Sequence, residues 1–448
     1  MWGSNNPLMD PEHDQNGTEH WSSGIGFILA SIGAAVGLGN IWRFSTVVGQ
    51  NGGGAYLIPF LLAVCLIALP LMILEIKAGR ALAADVVTAF ETVHRYFSKV
   101  GWLLVAVGFV VLSYYLVITG WTLAFVLFSL LGTEGRFTSF TAGYLPVLFF
   151  IISALLTGGV VGLGVKEGIE RVTRLLIPLS FVILIGLAIY AATLPGFAEG
   201  LSFFLTPDFS VLTDPAIWGA AFGQAFFSLS VGTGILLTYG SYLRRSVPIA
   251  RSAVYITIAD VSVAILSGLI IFPIVFTFGL SPSMGAELTF TILPEAFSMI
   301  SFGAWIGFSL FLLLFFPAIT ATVSMMEMPL ASLVARQGFS RRKASLLLTG
   351  AVILVGLPSA LSYSALNLQV AGIPILDLLD ETAGSFGLPL TALLTAIAFA
   401  WLPDPVLLRE KGGMKGPVPR LILKICRYLI PPVLVVIIFV LGLNLLRG

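Results

Sequence analysis

Long apolar runs, interrupted at intervals by short polar or charged stretches, organise this chain from end to end. They fall at roughly 22–49, 54–82, 96–130, 143–164, 168–193, 216–243, 248–280, 302–335, 342–361, 372–402 and 421–446. A helix needs about 20 such residues to cross a bilayer, so the pattern predicts eleven spanning helices and an all-α polytopic membrane protein. Runs well beyond 20 residues predict tilt or extension past the hydrocarbon. The longest polar stretches are residues 1–20, a loop near 194–215 and a loop at 403–420, which leaves no room for a soluble domain. Whatever chemistry the chain performs lies among its helices.

Composition narrows the class. Of 448 residues, 58% are hydrophobic and 10% charged, less than half the charged share of an ordinary soluble domain. That excludes a water-soluble enzyme. The 23 Lys and Arg nearly cancel the 22 Asp and Glu, so no excess charge points to nucleic acid. Cys65 and Cys426 both sit inside apolar runs, and His13, His20 and His94 lie in polar segments without ligand spacing, so neither a disulfide framework nor a metal cluster is expected. Residues 1–20 show no basic segment leading into an apolar core and are read as a cytoplasmic tail, not a cleaved signal peptide. The Asn16-Gly17-Thr18 sequon is then a chance match.

The positive charges orient the helices. With a cytoplasmic N-terminus, the inner segments hold Lys77, Arg80, Arg95 and Lys99, then Lys166, Arg171 and Arg174, then Arg244, Arg245 and Arg251. They also hold Arg336, Arg341, Arg342 and Lys343, and finally Arg409, Lys411, Lys415, Arg420, Lys424 and Arg427. Twenty of the 23 therefore fall on one side, which predicts that face to be cytoplasmic and the C-terminus to be external. Arg136 and Arg447 lie in outer segments. Arg43 is the exception that needs a reason, because it lies inside an apolar run.

Two runs carry glycines where a helix should be strongest. The first reads Gly33-Ala34-Ala35-Val36-Gly37-Leu38-Gly39-Asn40-Ile41-Trp42-Arg43-Phe44, and the sixth contains Gln224-Ala225-Phe226-Phe227-Ser228-Leu229-Ser230-Val231-Gly232-Thr233-Gly234. Small-xxx-small packing between helices accounts for Gly33 and Gly37 taken alone. An unwound segment that exposes backbone to a ligand accounts for both runs. The two runs open the two halves of the chain, five helices apart. Interrupted spans at corresponding positions predict a transporter of two five-helix inverted repeats (helices 1–5 and 6–10), with its site at the bilayer midplane. The repeats would be residues 21–193 and 216–402, followed by helix 11 at 421–446, all within one transporter domain at 21–446.

These residues, together with Trp21, Asn51-Gly52-Gly53-Gly54 and Tyr114-Tyr115, resemble the neurotransmitter:sodium symporter family in its bacterial leucine-transporter-type branch. The likeness runs from Trp21 to helix 11. It implies sodium-coupled transport of an amino acid across the cell membrane by alternating access, with unwound helices 1 and 6, and no enzymatic activity. The partners implied are a small-molecule amino acid and the lipid bilayer, with the protein a monomer or weak homo-oligomer.

The resemblance assigns residues to roles. A substrate carboxylate would meet the backbone N–H groups near Leu38 and Gly39 and the Tyr115 hydroxyl, and carbonyls near Phe227 and Ser230 would take its ammonium. Unsatisfied donors at a half-helix end do favour an anion, although a lone tyrosine is as readily a packing residue. Gly37 stands where monoamine carriers of the family have aspartate, which implies a zwitterionic α-amino acid. Val111, Phe227, Ser228, Ser230, Thr233, Thr322 and Met325 would complete the substrate site, with Thr233 in place of a bulky aromatic. Hydrophobic amino acids are expected, large ones included.

The first sodium would take the Ala35 carbonyl, Asn40, Ser228 and Asp260, and oxygen ligands suit a hard cation. An Asp among Ile258, Val261 and Val263 is costly in a membrane and is a functional candidate on that ground, with a packing hydrogen bond as the alternative. The family usually has Asn there, and the extra charge implies no chloride requirement. The second sodium would take carbonyls of Gly33, Val36 and Pro317 and the Thr320 hydroxyl. Ala321 stands where a further hydroxyl or carboxylate is usual, so one or two sodium ions remain open, as does proton antiport.

Arg43 and Asp380 would pair as an outer gate with Gln224, a static salt bridge being the alternative. At the inner side Thr18 and Ala335 replace the family's Arg and Asp, so closure is expected from Trp21 packing and Tyr242 instead of an ion pair. Gly168 and Pro178 resemble the family's signal for unwinding helix 5, and an interior proline does remove a helical hydrogen bond. A proton-coupled or exchange-only carrier of the same fold is the rival reading, and sodium-free uptake would distinguish it.

Overall fold

The computed structural model describes residues 19–132, 136–282, 290–291, 293–298, 302–401 and 417–447. Residues 1–18, with His13 and Thr18, and the loop residues Arg409, Lys411 and Lys415 lie outside that set. In hydrocarbon every backbone N–H and C=O must be satisfied within the segment, and apolar runs of this length answer by forming helices.

The described chain opens with α1 (Gly24–Ala35) and α2 (Gly39–Gln50), with a bend of 57° between them. Ser23 caps α1 by accepting the Gly26 N–H at 3.0 Å. Then come α3 (Gly54–Leu82), the short α4 (Val86–Val93), α5 (Arg95–Leu131), α6 (Leu145–Gly162) and α7 (Val165–Ala191). The second half holds α8 (Phe197–Leu205), α9 (Pro215–Ser228), α10 (Ile235–Ser241) and α11 (Ile249–Thr277). It continues with α12 (Gly303–Gln337), α13 (Arg341–Ser362), α14 (Ile375–Trp401) and α15 (Arg420–Gly442), with a two-stranded hairpin, β1 (Gln369–Val370) and β2 (Ile373–Pro374), before α14. Among the described residues nine helices are long and apolar enough to cross a membrane, or ten with α1 and α2 counted as one span. The architecture is that of a polytopic helical membrane protein.

The run at 216–243 is broken where its glycines lie, and the 194–215 loop holds a helix that was not expected. The break divides the run into α9 and α10, of 14 and 7 residues, joined by Leu229–Gly234. Ser230, Gly232 and Gly234 there take φ of 51°, 81° and 84°, values that no α-helix contains and that glycine adopts without steric cost. The loop near 194–215 contains α8, whose Phe203 and Phe204 rings lie against Phe272 at 5.1 and 5.3 Å. A Cβ at Gly54 would come within 2.9 Å of the Leu205 and Thr206 backbone, so the Asn51-Gly52-Gly53-Gly54 run lets this cover sit directly on the turn before α3.

Helix α12 packs against α1, α5, α6 and α7, while α1 also lies against α11. The helix before the first break is held by α7, α11 and α12.

Candidate substrate and ion site

The breaks after α1 and α9 meet at a central cavity of about 30 Å³. Ala34, Ala35, Gly37, Gly39 and Asn40 line it from the first break, Phe227, Ser230 and Thr233 from the second, Val111 and Tyr115 from α5, and Met325 from α12. The Leu38 N–H, released from the helical ladder by the break, donates to the Tyr115 hydroxyl at 2.9 Å. The Ser230 hydroxyl donates to the Ala34 carbonyl at 2.8 Å, tying the two breaks together. Thr233 Oγ1 donates to the Ser230 carbonyl at 2.7 Å, so the oxygen expected to face an ammonium already has a partner. A Cβ at Gly37 would lie 2.6 Å from the Tyr115 hydroxyl, so this hydroxyl approaches the bare backbone of the first break.

Beside the cavity lies a buried polar cluster. Asn40 Nδ2 donates to Ser228 Oγ at 2.7 Å and to Asp260 Oδ1 at 2.6 Å, and Ser228 Oγ donates to Asp260 Oδ2 at 2.7 Å. The Gly37 N–H donates to Asn40 Oδ1 at 3.1 Å. All three side chains are buried. Four side-chain oxygens from α2, α9 and α11 thus gather in one buried place, and oxygen donors suit a hard cation. Ser228 belongs to this cluster and not to the cavity wall.

Three of the residues expected around a second ion, Gly33, Pro317 and Thr320, lie together. Thr320 sits against Gly33, whose Cβ would lie 3.2 Å from Thr320 Oγ1, and Thr320 Oγ1 donates to the Pro317 carbonyl at 3.0 Å. Ala321 points at the central cavity beside Gly37. Thr322 does not reach that cavity. Its hydroxyl bonds Thr157 Oγ1 and the Ile319 carbonyl, both at 2.9 Å, because its face of α12 packs on α6.

Phe227 and Leu388 separate the central cavity from a second one of about 950 Å³, lined by Arg43, Gln224, Trp218 and Phe222 and by α14 and α15. The predicted Arg43–Asp380 pair is not formed. The Tyr114 hydroxyl holds Asp380 Oδ1 at 2.9 Å, while the Arg43 guanidinium lies 4.4 Å from the Phe227 ring centroid, a cation–π contact. Gln224 Nε2 donates to the Gly39 carbonyl at 2.9 Å, so it braces the first break instead of Arg43.

On the opposite side Trp21 is buried among Phe27, Tyr239 and Tyr242, and its Nε1 donates to the Tyr239 carbonyl at 2.9 Å. The expectation of closure without ion pairs is overturned there. Arg341 holds buried Glu327 through two hydrogen bonds, at 3.1 and 2.5 Å, and reaches Glu19 at 3.3 Å. The Tyr242 hydroxyl donates to Glu327 Oε1 at 2.8 Å, so its part is polar as well as aromatic. Glu170 accepts the Ser22 N–H at 2.9 Å and the Ser22 hydroxyl, and Arg174 pairs with it at 2.5 Å. The cations come from α7 (Arg174) and α13 (Arg341), and the anions from the N-terminal segment (Glu19), α7 (Glu170) and α12 (Glu327). Gly168 lies in the π-helical first turns of α7, Val165–Glu170, next to this clamp, whereas Pro178 is carried within the continuous helix.

Gly108, Ile235, Met328 and Leu388 also line the central cavity and were not foreseen. Met328 follows Met325 by three residues on one helix face, a spacing that signals it; Gly108 and Leu388 come from other helices and carry no local signal. Glu75 was missed too: it is buried in α3 and accepts the Gly232 N–H at 2.5 Å.

Comparison with known proteins gives this geometry a place. Residues 18–136 and 142–447 match the Sodium:neurotransmitter symporter family. An uncharacterized sodium-dependent transporter of Methanocaldococcus jannaschii is 34% identical over 420 residues, covering 88% of this chain and 83% of that protein. The uncharacterized sodium-dependent transporter YhdH of Bacillus subtilis is 36% identical over 390 residues, covering 84% and 86%. The crystal structure of MhsT in complex with L-phenylalanine superposes with a TM-score of 0.87 at 38% identity, covering 94% of this chain and 99% of that one. With two broken helices around a polar cluster and a family match across most of its length, the chain belongs to the sodium:neurotransmitter symporter family, a family of sodium-dependent membrane transporters and not of enzymes.

Proposed function

We propose that this protein is a sodium-coupled symporter that carries a hydrophobic L-amino acid into the cell by alternating access. Its eleven helices would form two inverted five-helix repeats and a final helix, with the N-terminus cytoplasmic and the C-terminus external. The observation that carries the reading is the Asn40–Ser228–Asp260 cluster abutting the break that releases the Leu38 N–H. An amino-acid carboxylate beside Leu38 would accept that N–H and the proton of the Tyr115 hydroxyl, while its other oxygen completes the cation's shell. Sharing one oxygen makes each species a ligand of the other, which is what coupling requires.

The second ion would lie among the Gly33, Val36 and Pro317 carbonyls and Thr320. Each sodium that enters down about 100 mV supplies roughly 2.3 kcal/mol, about fifty-fold accumulation, and a second squares that factor. The negative charge of Asp260 supports transport without chloride. The apolar lining of the cavity supports a hydrophobic side chain, and the relative MhsT is described with L-phenylalanine. A cavity of about 30 Å³ accepts such a side chain only if its walls yield, and methionine walls yield readily.

The test is binding of labelled leucine, phenylalanine and glycine to the purified protein with and without sodium, repeated on Asp260→Asn. Sodium-dependent binding that the variant weakens is expected. Sodium-independent binding overturns the coupling, and binding of glycine alone overturns the substrate class.

A further inference from the structure

Met328 occupies a slot that exists because two residues lack side chains. A Cβ at Gly108 in α5 would lie 2.5 Å from Met328 Cε, and a Cβ at Gly234 would lie 3.1 Å from Met328 Sδ. Gly234 also faces Val86 at the start of α4, again at 3.1 Å, so the slot runs from the central cavity toward α4. Both Gly108 and Met328 line that cavity. The Met328 side chain is buried, makes no hydrogen bond, and is unbranched with a polarizable thioether, the side chain best suited to leave one gap and fill another. Gly234 is demanded by its own backbone, at φ 84°. Gly108 sits in the interior of a long helix, where alanine is the better residue.

We infer that the slot is a side-chain subsite and Met328 its displaceable plug, so that the site takes long apolar and aromatic L-amino acids by pushing the thioether aside. This deepens the proposed function and rests on it. The cavity as it stands is too small for such a side chain, whereas cavity and slot together form one continuous apolar recess between α5, α12 and the second break. A carboxylate fixed at Leu38 leaves the side chain to point away from that anchor, and Gly108 and Met328 stand on the wall it meets. No charged group lines the recess, so charged side chains are refused on desolvation grounds.

Three variants test the inference in sodium-dependent competition against labelled leucine, read as the ratio of tryptophan affinity to alanine affinity. Gly108→Ala puts a methyl group where the plug lies and suits the helix, so folding is retained. Met328→Ile replaces the plug with a stiff β-branched side chain that cannot retract. Both should lower the ratio at least tenfold. Met328→Ala removes the plug and should raise it at least tenfold. A ratio within twofold of the unaltered protein's in the Ile and Ala variants overturns the slot while leaving amino-acid transport standing. Failure of the unaltered protein to bind any amino acid with sodium overturns both readings together.

Discussion

The Tyr115 hydroxyl accepts the Leu38 backbone N–H at 2.9 Å across the break in the first span, so the donor freed by that break is paired and dry. An entering carboxylate must take this N–H from the tyrosine and offers a stronger, charge-assisted acceptor in exchange. Tyr115→Phe should therefore weaken amino-acid binding by about 1.5–3 kcal/mol, roughly ten- to 150-fold, the range for a hydrogen bond to a charged group. Equilibrium binding with labelled phenylalanine at saturating sodium checks this, and an unchanged affinity would place the carboxylate elsewhere.

Asp260→Asn keeps a side chain of the same shape that still bonds Asn40 and Ser228, but removes the charge. Sodium half-saturation should rise at least tenfold, and added chloride should recover part of the loss if the missing charge is the cause. Uptake into proteoliposomes in chloride and in gluconate media measures both. Equal sodium dependence in the variant would sink the first-site assignment.

Thr320→Val removes the hydroxyl beside Gly33 at nearly constant volume. If a second sodium binds there, its loss should lower the sodium-to-substrate flux ratio from two toward one and flatten the sodium dependence of uptake. A ratio of one in the unaltered protein, unmoved by the substitution, points to a single-ion carrier, as the alanine at position 321 would allow.

Arg341→Gln leaves Glu327 as an unpaired carboxylate in a fully buried place. Breaking a buried pair from one side costs about 3–5 kcal/mol, so the apparent Tm should fall by several degrees and a cysteine label on the inner side of α10 should become more reactive. The double variant Arg341→Gln, Glu327→Gln should recover much of that stability, because no charge is then stranded. Glu19→Gln touches a partly exposed pair and should cost less than about 1 kcal/mol.

Much of this molecule was legible in the chain. The runs at 54–82, 96–130 and 302–335 differ from α3, α5 and α12 by two residues or fewer at either end, because hydrocarbon tolerates little except helix. The two breaks were legible through their glycines. What was not legible depends on side chains far apart in sequence. Asp380 fits an ion pair with Arg43 on paper, but Tyr114 reaches it, and a choice between a tyrosine and an arginine is made by packing. Thr322 turns to α6 because of where α12 rests, which no local pattern states. Glu75 and Glu327 could have been found: the rule that an acid inside an apolar helix is costly singles them out as it did Asp260. Residues 327 and 341 flank a helix end, so even their pairing leaves a trace in the sequence.

The clamp on residues 19–23 also bears on how reversible the cycle can be. A plug of apolar side chains at the basic face would release its full burial energy on closing and demand it all back on opening. Carboxylates and guanidinium groups behave differently: what they lose when a pair separates, water largely returns as hydration, and buried pairs often come close to breaking even. The contacts of Glu19, Glu170 and Glu327 therefore hold the closed shape firmly in geometry and lightly in free energy. In the proposed cycle, one or two ions, each supplying roughly 2.3 kcal/mol per 100 mV, suffice to reopen contacts of that kind on every turn.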